Sequence, residues 1–213
     1  MNGNGGHQWH TADLAVAFSF AHDLFLPPDP DQYARLVGES CAASWGYLAA
    51  ALPNLDDHLD LPSEYPDFES RYIATFDVGV PTPQVPLLES HYNKREPLPR
   101  ILHENILFYQ QFGLRLSPES NESADHLRHQ LEFVSYLFTL LLRAEESGDV
   151  GGGEQVSQIR RALHDYLSRH LLTWLPEAVR SAEGAPLAAA KQALQLALGM
   201  SQAALRFTES PRL

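Results

Sequence analysis

The sequence predicts an all-α protein, a single-domain helical bundle of about seven helices with one long Pro-rich loop. Apolar residues recur every three or four positions over most of the 213 residues, which is the spacing of one helix face. No stretch predicts a convincing strand, and five prolines between Asp77 and Pro99 exclude both a helix and a central strand there. The hydrophobic fraction of 44% is typical of a globular domain with one core.

Prolines, glycines and capping residues bound the predicted helices. Pro27 and Pro28 stop the first helix, Asp29 and Pro30 begin the second, and Gly113 ends the fourth. The predicted helices span about residues 9–26, 30–52, 63–76, 100–112, 123–146, 156–176 and 186–207. Residues 1–8 are expected to be disordered, residues 9–208 to form the helical domain with a hinge near residues 114–123, and residues 209–213 to form a tail.

The Pro-rich segment 77–99 is predicted to be an ordered binding loop. Loops of this length inside a domain are usually functional or disordered. Val80, Val85, Leu87 and Tyr92 make the segment too apolar for a free linker, which favours the functional alternative.

The stretch Glu122–Phe133 joins the Pro-rich half of the chain to the helical half. Ser123 is predicted to cap the long fifth helix, and Asp125 then falls in its first turn, where a carboxylate interacts favourably with the helix dipole. Asp125 and His126 are expected to face a groove at the start of this helix. They are the first candidates for a functional site.

Charge, cysteine content and the N-terminal residues limit the class of protein. Acidic residues outnumber basic ones by 27 to 15, and the net charge of −12 argues against a nucleic-acid partner and suits a basic peptide. The one cysteine, Cys41, excludes an internal disulfide and indicates a reducing compartment. No basic residue precedes Arg35, and no apolar run reaches 18 residues, so we expect a cytoplasmic protein without stable membrane insertion.

Histidine–aspartate pairs keep an enzymatic alternative open. His22–Asp23 and His164–Asp165 are adjacent pairs of the kind used by metal-dependent helical hydrolases, and His126 lies one helical turn from His129. Neither adjacent pair has an obvious set of further ligands in the sequence. The glycine run at 151–153 lacks the Lys-Ser/Thr ending of a phosphate-binding loop, and no Gly-x-Ser-x-Gly nucleophile motif occurs.

Four segments, taken in order, resemble the TorD/DmsD/NarJ family of redox-enzyme maturation chaperones. These segments are Tyr72–Gly79 (YIATFDVG), Pro81–Tyr92 (PTPQVPLLESHY), Glu122–Leu127 (ESADHL) and His170–Pro176 (HLLTWLP). The Asp-His pair and the later His-Leu-x-x-Trp are the most specific of these features. The family often has Glu-Pro-x-Asp-His, and Ser123 stands here at the position of that proline.

The resemblance implies a cytoplasmic chaperone, without catalysis or a cofactor of its own. It would bind the twin-arginine leader or the apo form of a molybdenum-enzyme catalytic subunit, assist cofactor insertion and delay export. Contact with the client's molybdopterin cofactor would be transient, and the chaperone would be a monomer or a homodimer. His170 and Trp174 are expected to hold their helix to the core.

A receptor for such a leader needs carboxylates for the two guanidinium groups and an apolar groove for the segment that follows them. The predicted peptide-binding residues are Tyr72, Phe76, Leu87, Glu89, Tyr92, Glu122, Asp125, His126 and Phe133. Replacing Asp125 and His126 with alanine is expected to weaken leader binding and to leave thermal stability nearly unchanged.

Overall fold

Helices account for the regular structure of the computed structural model, which describes residues 7–117, 122–147 and 152–210. The α-helices are α1 (Thr11–Asp23), α2 (Pro30–Leu36), α3 (Glu39–Ala51), α4 (Tyr65–Phe76), α5 (Glu89–Tyr92), α6 (Leu98–Gln111), α7 (Leu127–Ser147), α8 (Gly152–Tyr166), α9 (Leu172–Ser181) and α10 (Ala188–Glu209). A π-helical turn, Leu167–Leu171, connects α8 to α9. The predicted all-α class is confirmed, and most of the expected disordered N-terminus and part of the expected hinge lie outside the described residues.

The core forms around α7, whose apolar stripe is buried along its length. Leu127, Leu131, Val134 and Leu141 are each fully buried. The most extensive contacts of α1 are those with α7. Helices α8 and α10 pack beside this pair, and one hydrophobic cluster includes residues of all the longer helices. Burying a large aliphatic side chain stabilises a fold by roughly 1.5–3 kcal/mol. The helices are therefore held mainly by this shared interior.

The second predicted helix is two helices in the structure. α2 ends at Leu36 and α3 begins at Glu39, with Gly38 as the N-cap residue of α3. A Cβ atom at Gly38 would lie 3.3 Å from the carbonyl oxygens of both Ala34 and Arg35. Glycine therefore permits a close approach here that ends α2, and the predicted continuous helix across residues 30–52 is wrong.

The helix predicted to end near Pro176 or a little beyond runs to Ser181. The stretch contains the π-turn, in which each turn of backbone holds about one residue more than in an α-helix. Pro176 has no N–H to donate within α9, and the π-turn ends at Leu171, one residue before that helix begins. The π-turn carries His170, and α9 carries Trp174.

Candidate functional site

The end of the Pro-rich loop is fastened to the chain just before α7. Leu88 and His126 form an isolated antiparallel bridge, and Leu127 N–H donates to the Leu87 carbonyl over 2.8 Å. Glu89 N–H donates to the carbonyl of Asp125 over 3.1 Å. Residues 87–89 therefore lie beside residues 125–127. This pairing provides hydrogen-bond partners for backbone N–H and carbonyl groups at the starts of α5 and α7 that have no partner within their own helix.

Asp125 caps a helix other than the predicted one. α7 begins at Leu127, so Ser123 lies four residues before the helix and Asp125 lies outside its first turn. The Asp125 side chain is fully buried, and its Oδ2 accepts the Ser90 N–H of α5 over 2.9 Å. The predictions that Ser123 caps α7 and that Asp125 faces a groove are therefore wrong. Its removal should lower stability, contrary to the expectation from the sequence.

Glu89 is the centre of a buried polar network. Its side chain is 1% exposed, and Gln130 Nε2 donates to its Oε2 over 2.7 Å. His170 Nδ1 lies 3.0 Å from the same oxygen, and Asn105 Nδ2 donates to it over 3.3 Å. A buried carboxylate is costly unless it is paired and hydrogen-bonded. These contacts join α5 to α6, α7 and the π-turn.

Two tyrosines extend the network toward the α7 entry. Tyr166 OH donates to Asn105 Oδ1 over 2.7 Å, and Tyr109 OH donates to the Ala124 carbonyl over 2.8 Å. Burial raises the pKa of both phenols above the usual value, so both are neutral hydrogen-bond donors at pH 7. The tyrosines therefore support the segment that leads into residue 125.

Trp174 and Tyr92 close the network on the α9 side. Trp174 Nε1 donates to Gln130 Oε1 over 3.1 Å, while its ring stacks on Tyr92 with centroids 5.5 Å apart. The Tyr92 hydroxyl lies 2.9 Å from Ser181 Oγ. Trp174 is fully buried and His170 is 1% exposed, so the prediction that both hold their helix to the core is confirmed.

Glu122 forms a second polar cluster that is nearer to solvent. Arg128 Nη1 lies 2.9 Å from its Oε1, and His129 Nε2 and His126 Nδ1 lie 3.5 and 3.8 Å from its Oε2. Arg128 N–H donates to His126 Nδ1, which makes that nitrogen an acceptor in the neutral ring. Burial, with the charges of Arg128 and His129, lowers the pKa of His126 to about 4.

The Glu122 cluster lies close to the start of the Pro-rich loop. Burial and the nearby Glu122 carboxylate raise the pKa of Asp77, which stands at the end of α4. Tyr72, one turn earlier, donates its hydroxyl hydrogen to the Phe25 carbonyl over 2.8 Å. The end of α4 therefore lies close enough to Glu122 for their charges to interact.

The nine predicted peptide-binding residues divide by depth. Tyr92, Glu122 and His126 are partly exposed. The buried members are Tyr72, Phe76, Leu87, Glu89, Asp125 and Phe133. The structure brings Glu89, Tyr92, Asp125 and His126 together at the α5 and α7 entry, and Glu122 adjoins them. Tyr72 and Phe76 pack on Phe25 and on each other, while Phe133 packs against Tyr109 and Tyr166 in the interior.

Several residues of the two polar clusters were not predicted as site residues, among them Asn105, Gln130 and Arg128. Asn105 lies between Ile101 and Tyr109 on the buried face of α6, and Gln130 lies between Leu127 and Val134 on that of α7. A polar residue at such a position in an apolar stripe is the signal that could have identified them. Arg128, the ion-pair partner of Glu122, had no comparable signal.

The His-Asp pairs do not assemble into a metal site in the described part of the chain. His22 Nδ1 lies 3.0 Å from Asp23 Oδ1, and His164 Nδ1 lies 3.4 Å from Asp165 Oδ1, both in exposed positions. Within residues 7–117, 122–147 and 152–210 there is no group of three or more His, Cys, Asp or Glu side chains arranged to hold a metal ion. Across the same ranges, no helix has the length and apolar character needed to cross a membrane.

Fold and site together define an all-helical protein whose loop is held to a helix pair by a buried polar network. The family model described as nitrate reductase delta subunit matches residues 42–180. The chain belongs to this family, and the predicted TorD/DmsD/NarJ membership is thereby confirmed.

Three relatives cover most of the chain, and all are named as assembly chaperones. The selenate reductase assembly chaperone protein of Thauera selenatis is 35% identical over 170 residues, 80% of this chain and 77% of that protein. The perchlorate reductase assembly chaperone protein of Dechloromonas aromatica is 31% identical, covering 76% and 71% of the two chains. The chlorate reductase assembly chaperone protein of Ideonella dechloratans is 30% identical, covering 77% and 74%.

Proposed function

We propose that this protein is a cytoplasmic chaperone for the catalytic subunit of a molybdenum-containing oxidoreductase of the dimethyl sulfoxide reductase superfamily. It binds the twin-arginine leader or the apo form of that subunit, assists insertion of the cofactor and delays export. The observation that carries this proposal is the similarity, over three quarters or more of the chain, to chaperones named for reductase assembly. It is a binding protein and not a catalyst.

Leader binding is assigned to the surface around Glu122, His126 and Tyr92. Glu122 is partly exposed and already holds a guanidinium group, that of Arg128, at 2.9 Å. An arginine of the leader would exchange with Arg128 for this carboxylate, since guanidinium and carboxylate groups form paired charge-assisted hydrogen bonds. Tyr92 supplies an aromatic face for the apolar segment that follows the arginines.

The six buried residues of the predicted site have a supporting role in this proposal. Glu89 and Asp125 fix residues 87–90 against residues 125–130, and they thereby position Tyr92 and His126. Leu87 and Phe133 fill the core beneath that surface, as do Tyr72 and Phe76 under the start of the loop. A surface positioned in advance loses less conformational freedom when a peptide binds.

The decisive experiment measures binding of a synthetic twin-arginine leader by calorimetry. The probe has two adjacent arginines followed by about ten apolar residues, and a matched probe has two lysines instead. Glu122→Gln should weaken binding of the arginine probe roughly tenfold or more, because a charge-assisted hydrogen bond is lost. The lysine probe should bind more weakly than the arginine probe to the unaltered protein, since it cannot form the paired contact.

Glu104→Gln is the matched control. Glu104 also bridges arginines, Arg100 at 3.0 Å and Arg169 at 2.9 Å, but it lies on α6 away from the Glu122 cluster. Its removal should leave leader affinity unchanged. Equal affinity of Glu122→Gln and the unaltered protein would refute the assigned surface. Failure of the apo catalytic subunit to co-purify with this chain would refute the proposed function itself.

Ionic strength provides a second measurement on the same proteins. Leader affinity should fall as salt rises, because the contact with Glu122 is partly Coulombic and the carboxylate is close to solvent. The Glu122→Gln variant should show a weaker dependence on salt. An affinity that did not change with salt would indicate recognition by apolar contacts alone.

A further inference from the structure

A groove between α1 and α3 leaves apolar side chains uncovered on both walls. α1 buries its opposite face against α7, and the groove is open to solvent, with a volume of about 680 Å³. Val16 is 70% exposed on the α1 wall and Tyr47 is 50% exposed on the α3 wall. Ala43 and Ser44 keep the α3 wall low, which permits a close approach of another backbone. None of the Glu122 cluster residues lines this α1–α3 groove.

On α1, one aspartate stands at each end of the large apolar residues that line the groove. Asp13, Val16, Phe20 and Asp23 follow one another along α1 at steps of three, four and three residues, so they form one stripe on the groove side. The two carboxylates bracket the apolar pair and stand ten residues apart. At the helical rise of 1.5 Å per residue, this separation is about 15 Å.

Both helices of the groove belong to the acidic N-terminal third of the sequence. Residues 1–77 contain twelve Asp and Glu residues against two Arg, which accounts for −10 of the net charge of −12. Ten of those carboxylates are exposed. A segment that is basic as well as apolar therefore complements the groove, because a neutral segment would gain nothing from the two lining carboxylates, Asp13 and Asp23.

Neither α1 of a second copy nor the residues outside the described ranges supply such an occupant. Two copies of α1 laid together would bring Asp13 and Asp23 against carboxylates, which is repulsive. Outside the described residues the sequence offers only Met, Asn and Gly at 1–6 and three segments of four residues or fewer. None of these has an apolar face bordered by basic residues.

We infer that the α1–α3 groove binds an amphipathic helix of another polypeptide, with an apolar face and one basic residue at each end of that face. This inference goes beyond the proposed function, because a twin-arginine leader places its charges together at one end of its apolar segment. The groove has carboxylates at both ends, so it selects a different pattern. The bound helix would span about three turns between its two basic residues.

A labelled synthetic helix tests the inference by fluorescence anisotropy. The probe has 16 residues, with Arg at positions 3 and 13, Leu at positions 6 and 10, and Ala or Gln elsewhere, which matches the spacing of the α1 stripe. Asp13→Asn and Asp23→Asn should each weaken binding about two- to fivefold, as expected for exposed ion pairs. Val16→Lys should weaken binding at least tenfold, since it removes the apolar contact and introduces repulsion.

Leu107→Lys is the matched control, because Leu107 is an exposed leucine on α6 that is 48% accessible and lies outside the groove. It should leave the affinity unchanged. If Val16→Lys binds the probe as the unaltered protein does, or if a scrambled peptide of the same composition binds equally well, the inference is overturned. The leader titration on the same variants keeps the two proposals distinguishable, because leader binding should respond to Glu122→Gln and not to Val16→Lys.

Discussion

The carboxylates of the interior and those of the N-terminal third have opposite surroundings. Glu89 and Asp125 are at most 1% exposed, and each accepts hydrogen bonds from the chain around it. Among residues 1–77, ten of the twelve carboxylates are exposed and only two arginines share that stretch. Depth in the fold therefore separates two roles of the carboxylate group. Buried carboxylates fix the loop, while the exposed ones face solvent, and several of them make only local contacts.

The largest expected effect is the loss of the buried pair. His170→Ala should lower the free energy of unfolding by about 3–5 kcal/mol, because Glu89 would stay buried without its imidazole partner. Urea unfolding followed by circular dichroism measures the change. Arg100→Ala, which removes an exposed ion pair with Glu104, should have a much smaller effect. If the two variants were equally stable, the interior network would not have the structural role given to it here.

Acid should destabilise the protein through His126, whose side chain is less buried than Glu89 and Asp125 and less exposed than the surface carboxylates. The pKa of His126 falls from 6.5 to about 4 on folding, so the unfolded chain binds the proton first as pH decreases. The contribution of the neutral His126 ring to the free energy of unfolding is therefore fully present above pH 6.5. It amounts to about 2–3 kcal/mol and is lost as pH falls toward 4.

His126→Asn should remove that part of the pH dependence, measured by urea unfolding at pH 7 and pH 4.5. Its control is His58→Asn, because His58 is exposed and the neighbouring Asp57 raises its pKa. The control should retain the loss of stability in acid. An unchanged pH profile for His126→Asn would show that the buried imidazole does not cause the loss.

A smaller effect distinguishes the observed cap from the predicted one. Asp125→Ala should lower the free energy of unfolding by about 1–2 kcal/mol, because it removes the acceptor of the Ser90 N–H. Ser123→Ala, at the residue predicted from the sequence to cap α7, should leave thermal unfolding nearly unchanged. The reverse order of the two effects would favour the cap predicted from the sequence.

The smallest effect is expected in the acidic third. Asp23→Asn should change the free energy of unfolding by about 0.5 kcal/mol or less, since its contact with His22 is exposed. Calorimetric unfolding at low and high salt measures this change. A loss comparable to that of Asp125→Ala would mean that exposed carboxylates also stabilise the fold, and the comparison would then fail.

The helix boundaries that could be predicted from the sequence are those marked by local chemistry. Pro27 and Pro28 follow α1, and Gly113, with a φ of +77°, lies just beyond the end of α6. The break at Gly38 was missed because an isolated glycine in a helical pattern is often tolerated. The π-turn was missed because its periodicity differs from that of an α-helix over only five residues.

The sequence predicted which segments form the candidate site, but not which way each side chain in it points. The predicted site combined residues of the Pro-rich loop with Asp125 and His126, and the Leu88–His126 bridge confirms that these two segments meet. Whether Asp125 points outward or inward depends on the partner across that contact, here Ser90, which is 35 residues away in the chain. Local patterns carry no information about such a partner, and the burial of Glu89 and Asp125 therefore could not be foreseen, whereas the helical spacing of Tyr72 and Phe76 is typical of a buried face.

The Glu89 network has an implication for how the sequence can change over evolution. Asn105, Gln130 and His170 come from three different elements, and all three lie within hydrogen-bond distance of the Glu89 carboxylate. Replacing Glu89 would leave donors of this network buried without their shared acceptor. We therefore expect these four positions to vary as a set among homologous chains, whereas the acidic surface can drift one residue at a time.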